Sequence, residues 1–500
     1  MASTGIQSSS GTQSFGASPG ASASQTPVGT LEPGLVLDGF RLIERLHQGG
    51  MANLWSVARV EPVAGEDFPL MMKVPRIKGG EDPATIVGFE VEQMLMPALK
   101  GSHVPRFVAR GDWTRQAYIV MEHIEGQSLR PRLDEAPLPL DEVIKIGIQV
   151  ANALQDLHRQ HVVHLDIKPS NIMLRANGEV VLVDFGLSRH DHLPDLLEEE
   201  FALPMGTGPY MSPEQVQFVR NDPRSDLFAL GVMLYHLATG ERPFGQPNSV
   251  RGLRRRLYID PVPPRAIDPE LPPWFQEVVL HCLEVKPERR YQSAAQLALD
   301  LQHPEGVVLT KRAERMNTSS SVKTLKRWFF ALGAEPSIQT STTVQVERSP
   351  IIMAAVDTEN ATPVLLEQLR EVVRRMVQTE PGARLACVSV MKTARIGMDE
   401  LTDKDGKSVH VKQLIALKHW ARPISKALNL EDGRLTFHVL EAPDAATAII
   451  DFAAKNGVDH IVMGARGASA LRRYLGSVSA QVVTQSECSV TVVRESASGT

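Results

Sequence analysis

The sequence predicts a multidomain chain: an α+β unit comes first, then an α/β unit with a doubly wound parallel sheet. Three observations carry this. The chain has 500 residues, too many for one ordinary core. Strand-like runs dominate up to about residue 125 and helical periodicity dominates after 140, the segregated order of an α+β unit. From residue 350, short apolar runs alternate with helical ones, as in a parallel sheet covered on both faces.

Residues 1–34 are Ser, Gly, Ala, Thr and Gln with scattered Pro. They carry too little apolar surface to offset ordering entropy, so a disordered tail is expected. LVLDGFRLIERL (35–46) opens the patterned region as an alternating strand. IKIGIQVANALQDLH (144–158) places apolar residues at three- and four-residue steps, an amphipathic helix. FALGVMLYHLATG (228–240) is the most apolar stretch and reads as a buried helix. Residues 304–348 are rich in Thr, Ser and basic residues and read as a solvated linker, with one short helix around LKRWFFAL (325–332).

In the second unit, IIMAAVD (351–357), LACVSVM (385–391), LTFHVLE (435–441), HIVMG (460–464) and SVTVVR (489–494) are strands. LLEQLREVVRRMV (365–377), QLIALKHWARPISKAL (413–428, despite Pro423), ATAIIDFAAKNG (446–457, closing on Gly) and VSAQVVTQSE (478–487) are helices.

Composition narrows the function classes. The chain is 43% hydrophobic and 22% charged, with a formal net charge of −5 and both signs dispersed. Nothing asks for nucleic acid or an anionic membrane. No run reaches the roughly 18 apolar residues of a membrane span. The N-terminus lacks the basic region and apolar core of a secretory signal. Cys282, Cys387 and Cys488 lie far apart, without metal spacing, as in a reducing cytoplasm. A cytoplasmic protein is expected.

The chemistry concentrates in HVVHLDIKPSN (161–171). Phosphoryl transfer needs an acid to orient the incoming hydroxyl, a cation at the transferred group and hard oxygens for a metal. Asp166, Lys168 and Asn171 supply those parts within six residues. VVLVDFGLSR (180–189) then ends a strand in Asp184, Phe185 and Gly186.

HLDIKPSN followed by DFG resembles a bacterial eukaryotic-type serine/threonine protein kinase. The resemblance covers 39–303 within a unit of 35–303 and implies a bilobal protein kinase fold, with an N-lobe of 35–121 and a C-lobe of 125–303. It implies Asp166 as catalytic base, Lys168 at the γ-phosphate, and Asn171 and Asp184 as ligands of Mg²⁺. Lys73 in PLMMKVPR resembles the lysine that pairs with the ATP phosphates. Its partner is sought in FEVEQMLMPAL (89–99), where Glu92 fits better than Glu90. YIVMEHIEG (118–126) resembles the segment between lobes, with Met121 flanking adenine and the backbone of Glu122 to Ile124 hydrogen-bonding it. Glu214 of GTGPYMSPE is expected to pair with Arg290, and Asp226 to brace the catalytic loop.

Two departures stand out. The glycine-rich loop LHQGGMANLW (46–55) keeps Gly49 but has His47 and Ala52 where the family expects glycines. Leu165 takes the place of an Arg that in many members receives an activation-loop phosphate. The segment 188–210 has few hydroxyls and carries Glu198, Glu199 and Glu200, expected as a solvated face. Loop phosphorylation at Thr207 or Tyr210 is therefore not expected to be the on-switch. NTSSS (317–321) and TSTT (340–343) are candidate autophosphorylation sites.

GARGASALRRYLGSVS (464–479), with AAVD and SVTVVR, makes 349–495 resemble a universal stress protein domain, Rossmann-like in architecture. The resemblance implies a second nucleotide site of Asp357, Gly464, Gly467, Gly476 and Ser477. Eight residues separate Gly467 from Gly476, one fewer than the usual ATP-binding pattern. The implied function is transfer of phosphate from Mg-ATP to protein Ser/Thr hydroxyls, with the C-terminal domain regulating, or joining two copies as a homodimer. The alternative is a pseudokinase scaffold that binds nucleotide and partners without catalysis.

Overall fold

The computed structural model describes residues 31–49, 51–76, 82–317, 327–328, 349–393, 408–430, 433–465 and 476–495. The candidate sites NTSSS beyond Asn317 and TSTT lie outside these residues. So do Gly467, the N-terminal tail up to residue 30 and all but two residues of the helix expected at 325–332.

A six-stranded antiparallel sheet, in the order β1-β2-β3-β4-β6-β5, opens the fold. Its strands are β1 (Val36–Leu37), β2 (Phe40–Gln48), β3 (Ala52–Arg59), β4 (Leu70–Pro75), β5 (Phe107–Gly111) and β6 (Tyr118–Glu122). The single strand expected over 35–46 is split by a turn in which Asp38 and Gly39 both take positive φ. Bulges in β2 then break its alternation, so Ile43 and Leu46 face solvent. Helix α1 (Pro83–Leu95) crosses this sheet, started by Pro83 and by the Asp82 side chain accepting from the Ala84 N–H at 3.0 Å.

The helical half packs α2 (Leu140–Arg159), α4 (Arg224–Thr239), α5 (Pro273–Cys282) and α6 (Ala294–Gln302) into one core. Between α2 and α4 in the chain lies α3 (Leu196–Glu200). Helix α4 is buried along its whole length and stops at Gly240, which takes the left-handed conformation. Two small sheets carry the loops beside it. One is β10-β9-β7, from Val180–Leu182, Ile172–Arg175 and Gly126–Ser128; the other is β11-β8, from Arg189–His190 and Val162–Val163.

The expected solvated linker does not begin at 304. Buried Gln276 and Glu277 on α5 need partners, and residues 310–315 supply them. Glu277 accepts from the N–H groups of Thr310 (2.9 Å) and Ala313 (3.1 Å) and from Arg312 (2.7 Å). Gln276 donates to the carbonyls of Arg312 (2.7 Å) and Arg315 (2.8 Å).

The second unit is a five-stranded, all-parallel sheet in the order β14-β13-β12-β15-β16. Its strands are β12 (Ile351–Ala355), β13 (Arg384–Lys392), β14 (Leu435–Ala442), β15 (His460–Ala465) and β16 (Ser489–Arg494). The helices are α7 (Pro363–Thr379), α8 (Val409–Leu428), α9 (Ala445–Asn456) and α10 (Ser477–Gln485). Helix α8 runs through Pro423, and α9 closes on Gly457 at φ 58°.

The two units touch along α1 and α3. Lys418 on α8 reaches Glu90 at 2.6 Å. Arg384 on β13 grips Glu199 with both terminal nitrogens, at 2.6 and 2.5 Å. His438 on β14 is fully buried and lies 2.9 Å from Glu200. Lys455 donates to the Phe201 carbonyl at 3.3 Å. Glu199 and Glu200 are thus not the solvated face expected of them: their side chains are 12% and 3% exposed.

Candidate active site

The Leu165–Asn171 loop is shaped before its chemistry begins. Asp226, 1% exposed on α4, accepts from the N–H groups of His164 and Leu165, both at 2.9 Å, and from His158 at 2.9 Å. Those bonds hold Leu165 at φ 64° with its side chain buried. A non-glycine residue in that region is strained, and the scaffold over-determines it. The buried Leu165 side chain offers no cation to a phosphate.

Asp166 is 7% exposed. One carboxylate oxygen accepts from Lys168 at 2.6 Å and Asn171 at 3.0 Å; the other accepts from the Thr207 hydroxyl at 2.7 Å and its N–H at 3.0 Å. Asn171 also donates to the Asp166 carbonyl at 3.0 Å, turning its own side-chain oxygen the other way.

Lys73 on β4 donates to Glu92 at 2.6 Å and to Asp184 at 2.9 Å. Burial works against the Lys73 ammonium, but Asp184 and Glu92 outweigh it and raise its pKa. The same ammonium holds the Asp184 carboxyl below its usual range. Glu90, the other candidate for this partner, points to Lys418 instead. Lys73, Glu92, Asp166, Lys168, Asn171 and Asp184, spread over 112 positions of sequence, therefore share one cleft.

Asp184 and the Asn171 side-chain oxygen are hard donors for a divalent cation. Two such ligands fit an ion that takes its other ligands from phosphate and water. No cluster of three His, Cys, Asp or Glu fit to hold a metal occurs among the described residues.

The interlobe segment is more occupied than the sequence implied. The Glu122 N–H donates to Arg106 and the His123 N–H to Pro69, both at 2.8 Å. Of the three N–H groups expected to face adenine, only Ile124 lacks a backbone acceptor among the described residues. Glu122 turns its carboxylate to Arg175 at 2.7 Å. Met121 is buried at 4% exposure.

At the β2–β3 turn, Gly49 donates to the Ala52 carbonyl at 3.0 Å, and Arg76 donates to the Gly49 carbonyl at 2.6 Å. A Cβ on Gly49 would meet the Ala52 oxygen at 3.1 Å, a tight contact that favours glycine at this turn. Farther down, Arg290 and Glu214 pair at 2.5 and 2.7 Å in full burial.

Sequence reasoning missed the acid that ties down the activation segment. Asp195 caps α3 by accepting from the Glu198 N–H at 3.1 Å, and it meets Arg220 at 2.8 Å and Arg189 at 3.7 Å. The signal was faint: an N-cap Asp before Leu-Leu, with its cations distant in sequence.

In the second unit, Asp357 follows β12 and accepts from the N–H and side-chain amide of Asn360, both at 3.0 Å. Gly464 lies inside β15, where a Cβ would meet the Leu365 side chain of α7 at 3.1 Å. Its lack of a side chain lets α7 pack close against β15. Gly476 is the N-cap of α10 and Ser477 its first residue.

A family model for the protein kinase domain matches residues 77–303, and one for the universal stress protein family matches 349–494. The serine/threonine-protein kinase PknL of Mycobacterium bovis is 32% identical over 278 residues, covering 55% of this chain and 68% of that protein. The serine/threonine-protein kinase PknB of Mycobacterium tuberculosis is 32% identical over 300 residues, covering 58% of this chain and 47% of the relative, so the match spans about half of that protein's length. The crystal structure of the Mycobacterium tuberculosis PknI kinase domain aligns at a TM-score of 0.42 with 23% identity, covering 56% of this chain and 100% of that one. The chain belongs to the protein kinase family and carries a universal stress protein domain after it. Protein kinases as a family use ATP with a divalent metal ion. No helix among the described residues is long and apolar enough to cross a membrane.

Proposed function

We propose that the chain is a cytoplasmic serine/threonine protein kinase using Mg-ATP, with its C-terminal domain acting on the kinase unit as a regulator. The carrying observation is the Asp166 carboxylate, bonded at once to Lys168, Asn171 and Thr207. In this reading Asp166 orients the substrate hydroxyl and accepts its proton, and Lys168 steadies the transferred group. Lys73, fixed by Glu92, holds the nucleotide phosphates. Asn171 and Asp184 hold Mg²⁺, which when bound neutralises phosphate charge. Met121 and the Ile124 N–H receive the base, and Gly49 lies in the loop above it. The kinase unit is assigned to 35–303, extended by the packed segment to 317, and the second domain to 349–495.

Loop phosphorylation is not the on-switch in this reading. Asp195, Glu199 and Glu200 already tie the activation segment to cations, and Leu165 leaves no cation at the usual phosphate position. Tyr210 is 7% exposed and the Thr207 hydroxyl is engaged by Asp166. The second domain binds nucleotide at Asp357, Gly464, Gly467, Gly476 and Ser477, and joins two copies as a homodimer.

Phosphotransfer with labelled ATP and Mg²⁺, in wild type and Asp166→Asn, tests the activity. The variant is expected to lose about a hundred- to ten-thousand-fold in rate with its melting temperature retained. Equal rates would sink Asp166 as the base. No labelling by either protein, with ATP still bound, would favour the scaffold, for which the depleted glycine loop is the supporting feature. An activity gain tracking phosphate on Thr207 or Tyr210 would overturn the loop reading.

A further inference from the structure

Between the kinase unit and the C-terminal domain lies a cavity of about 470 Å³, whose lining includes none of Lys73, Glu92, Asp166, Lys168, Asn171 and Asp184. One wall is α1 and the end of β5; the other is α8 and β14. Lys418, Arg422 and Lys426 all line it. They stand four residues apart on α8, so they stack along one face of the helix. Like charges at that spacing repel. Glu90 compensates Lys418. Among the described residues, Arg422 and Lys426 have no carboxylate partner.

Arg110 adds a fourth cation to the lining, against two carboxylates, Glu90 and Asp112. Asp112 is turned toward its own loop, accepting from the Thr114 N–H at 3.1 Å. The wall also carries Met94, Trp113, Leu435 and Phe437, beside the polar Gln93, Ser425 and Thr436. The Lys418 ammonium sits 4.5 Å from the Phe437 ring centre. The volume is that of a small-molecule site, with aromatic surface set beside convergent charges.

We propose that this cavity binds a small organic anion: a phosphate or similarly charged head held by Arg422 and Lys426, on a flat apolar body against Phe437 and Trp113. A ligand there touches both domains, so it favours the docked arrangement over any separated one. It also lies against α1, whose Glu92 holds Lys73. Binding is therefore coupled to the geometry of the kinase cleft. That consequence rests on the kinase reading above; the binding itself does not.

The test uses the full chain with 1-naphthyl phosphate as probe, measured by calorimetry in saturating Mg-ADP so that nucleotide sites are occupied. Inorganic phosphate and 1-naphthol are separate arms. The expected result is saturable binding at one site per chain, weakened at least about tenfold by Arg422→Gln with Lys426→Gln, the loss of charge-assisted contacts. The single Lys426→Gln variant should fall between, and melting curves verify folding of both. Unchanged affinity in the double variant overturns the proposal, as does absence of saturable binding. Naphthol binding as tightly as the phosphate ester removes the anion requirement and also overturns it. Inorganic phosphate binding as tightly overturns the apolar body. None of these readouts needs phosphotransfer, so an inactive kinase would leave the result intact, and a failed probe would leave the kinase assay untouched.

Discussion

Helix α1 presents two glutamates two positions apart, and they serve different parts of the molecule. Glu92 turns inward to Lys73 at 2.6 Å, and Glu90 turns outward to Lys418 of the C-terminal domain, also at 2.6 Å. Two positions on a helix are about 200° of rotation, so neither pair can form in the other's place. The cleft and the domain seam are therefore read by one rigid element. What differs is the surrounding network. In the cleft, Asp166 takes its donors Lys168, Asn171 and Thr207 from the kinase unit itself; in the seam, Glu199 and Glu200 meet Arg384 and His438 of the other domain. Moving α1 disturbs both, and separating the domains exposes the seam alone.

The sharpest way to break this comparison is Arg384→Leu. It leaves the mostly buried Glu199 with His438 at 3.3 Å but without its arginine, and losing one partner of a buried pair costs about 3 kcal/mol or more. Docking is expected to weaken accordingly, seen as a larger radius in solution scattering and faster proteolysis near residues 196–201. A double-mutant cycle with Glu199→Gln should recover most of the loss; strict additivity would deny the pairing. Glu92→Gln ranks next. Loss of a charge-assisted bond to Lys73 should lower kcat/KM about ten- to a hundredfold with domain docking unchanged.

Glu90→Gln should cost less than tenfold in kcat/KM, and should loosen docking instead. Equal effects of the two substitutions would dissolve the distinction between inward and outward faces. The smallest effect is on acid stability. The folded Asp184 carboxyl is depressed by Lys73, so its contribution is present above the ordinary carboxylate pKa and is lost as pH falls through the depressed value. The stability gap between wild type and Asp184→Asn is then expected to shrink below about pH 4. A gap constant with pH would show that the pair contributes nothing to folding.

Much of the architecture was legible. The continuous apolar run IIMAAVD read as a strand covered on both faces, and Gly457 marked the end of α9 because a left-handed residue favours glycine. The Asp166, Lys168 and Asn171 cluster was legible because its members fall within six residues and keep a short-range geometry. The split of the first strand was not, since Asp38 and Gly39 sit within an alternating pattern that hides the turn.

The sequence alone therefore determined the order of elements, the parallel second sheet and the chemistry of the local catalytic loop, because periodicity and near-neighbour spacing are local properties of the chain. Tertiary structure decided between Glu90 and Glu92, buried the Glu199–Glu200 run, pinned residues 310–315 to α5 and brought Lys418, Arg422 and Lys426 to the wall of a cavity. Each of these depends on which distant surface comes to rest against a given side chain. A carboxylate run looks the same in sequence whether water or an arginine hundreds of residues away faces it.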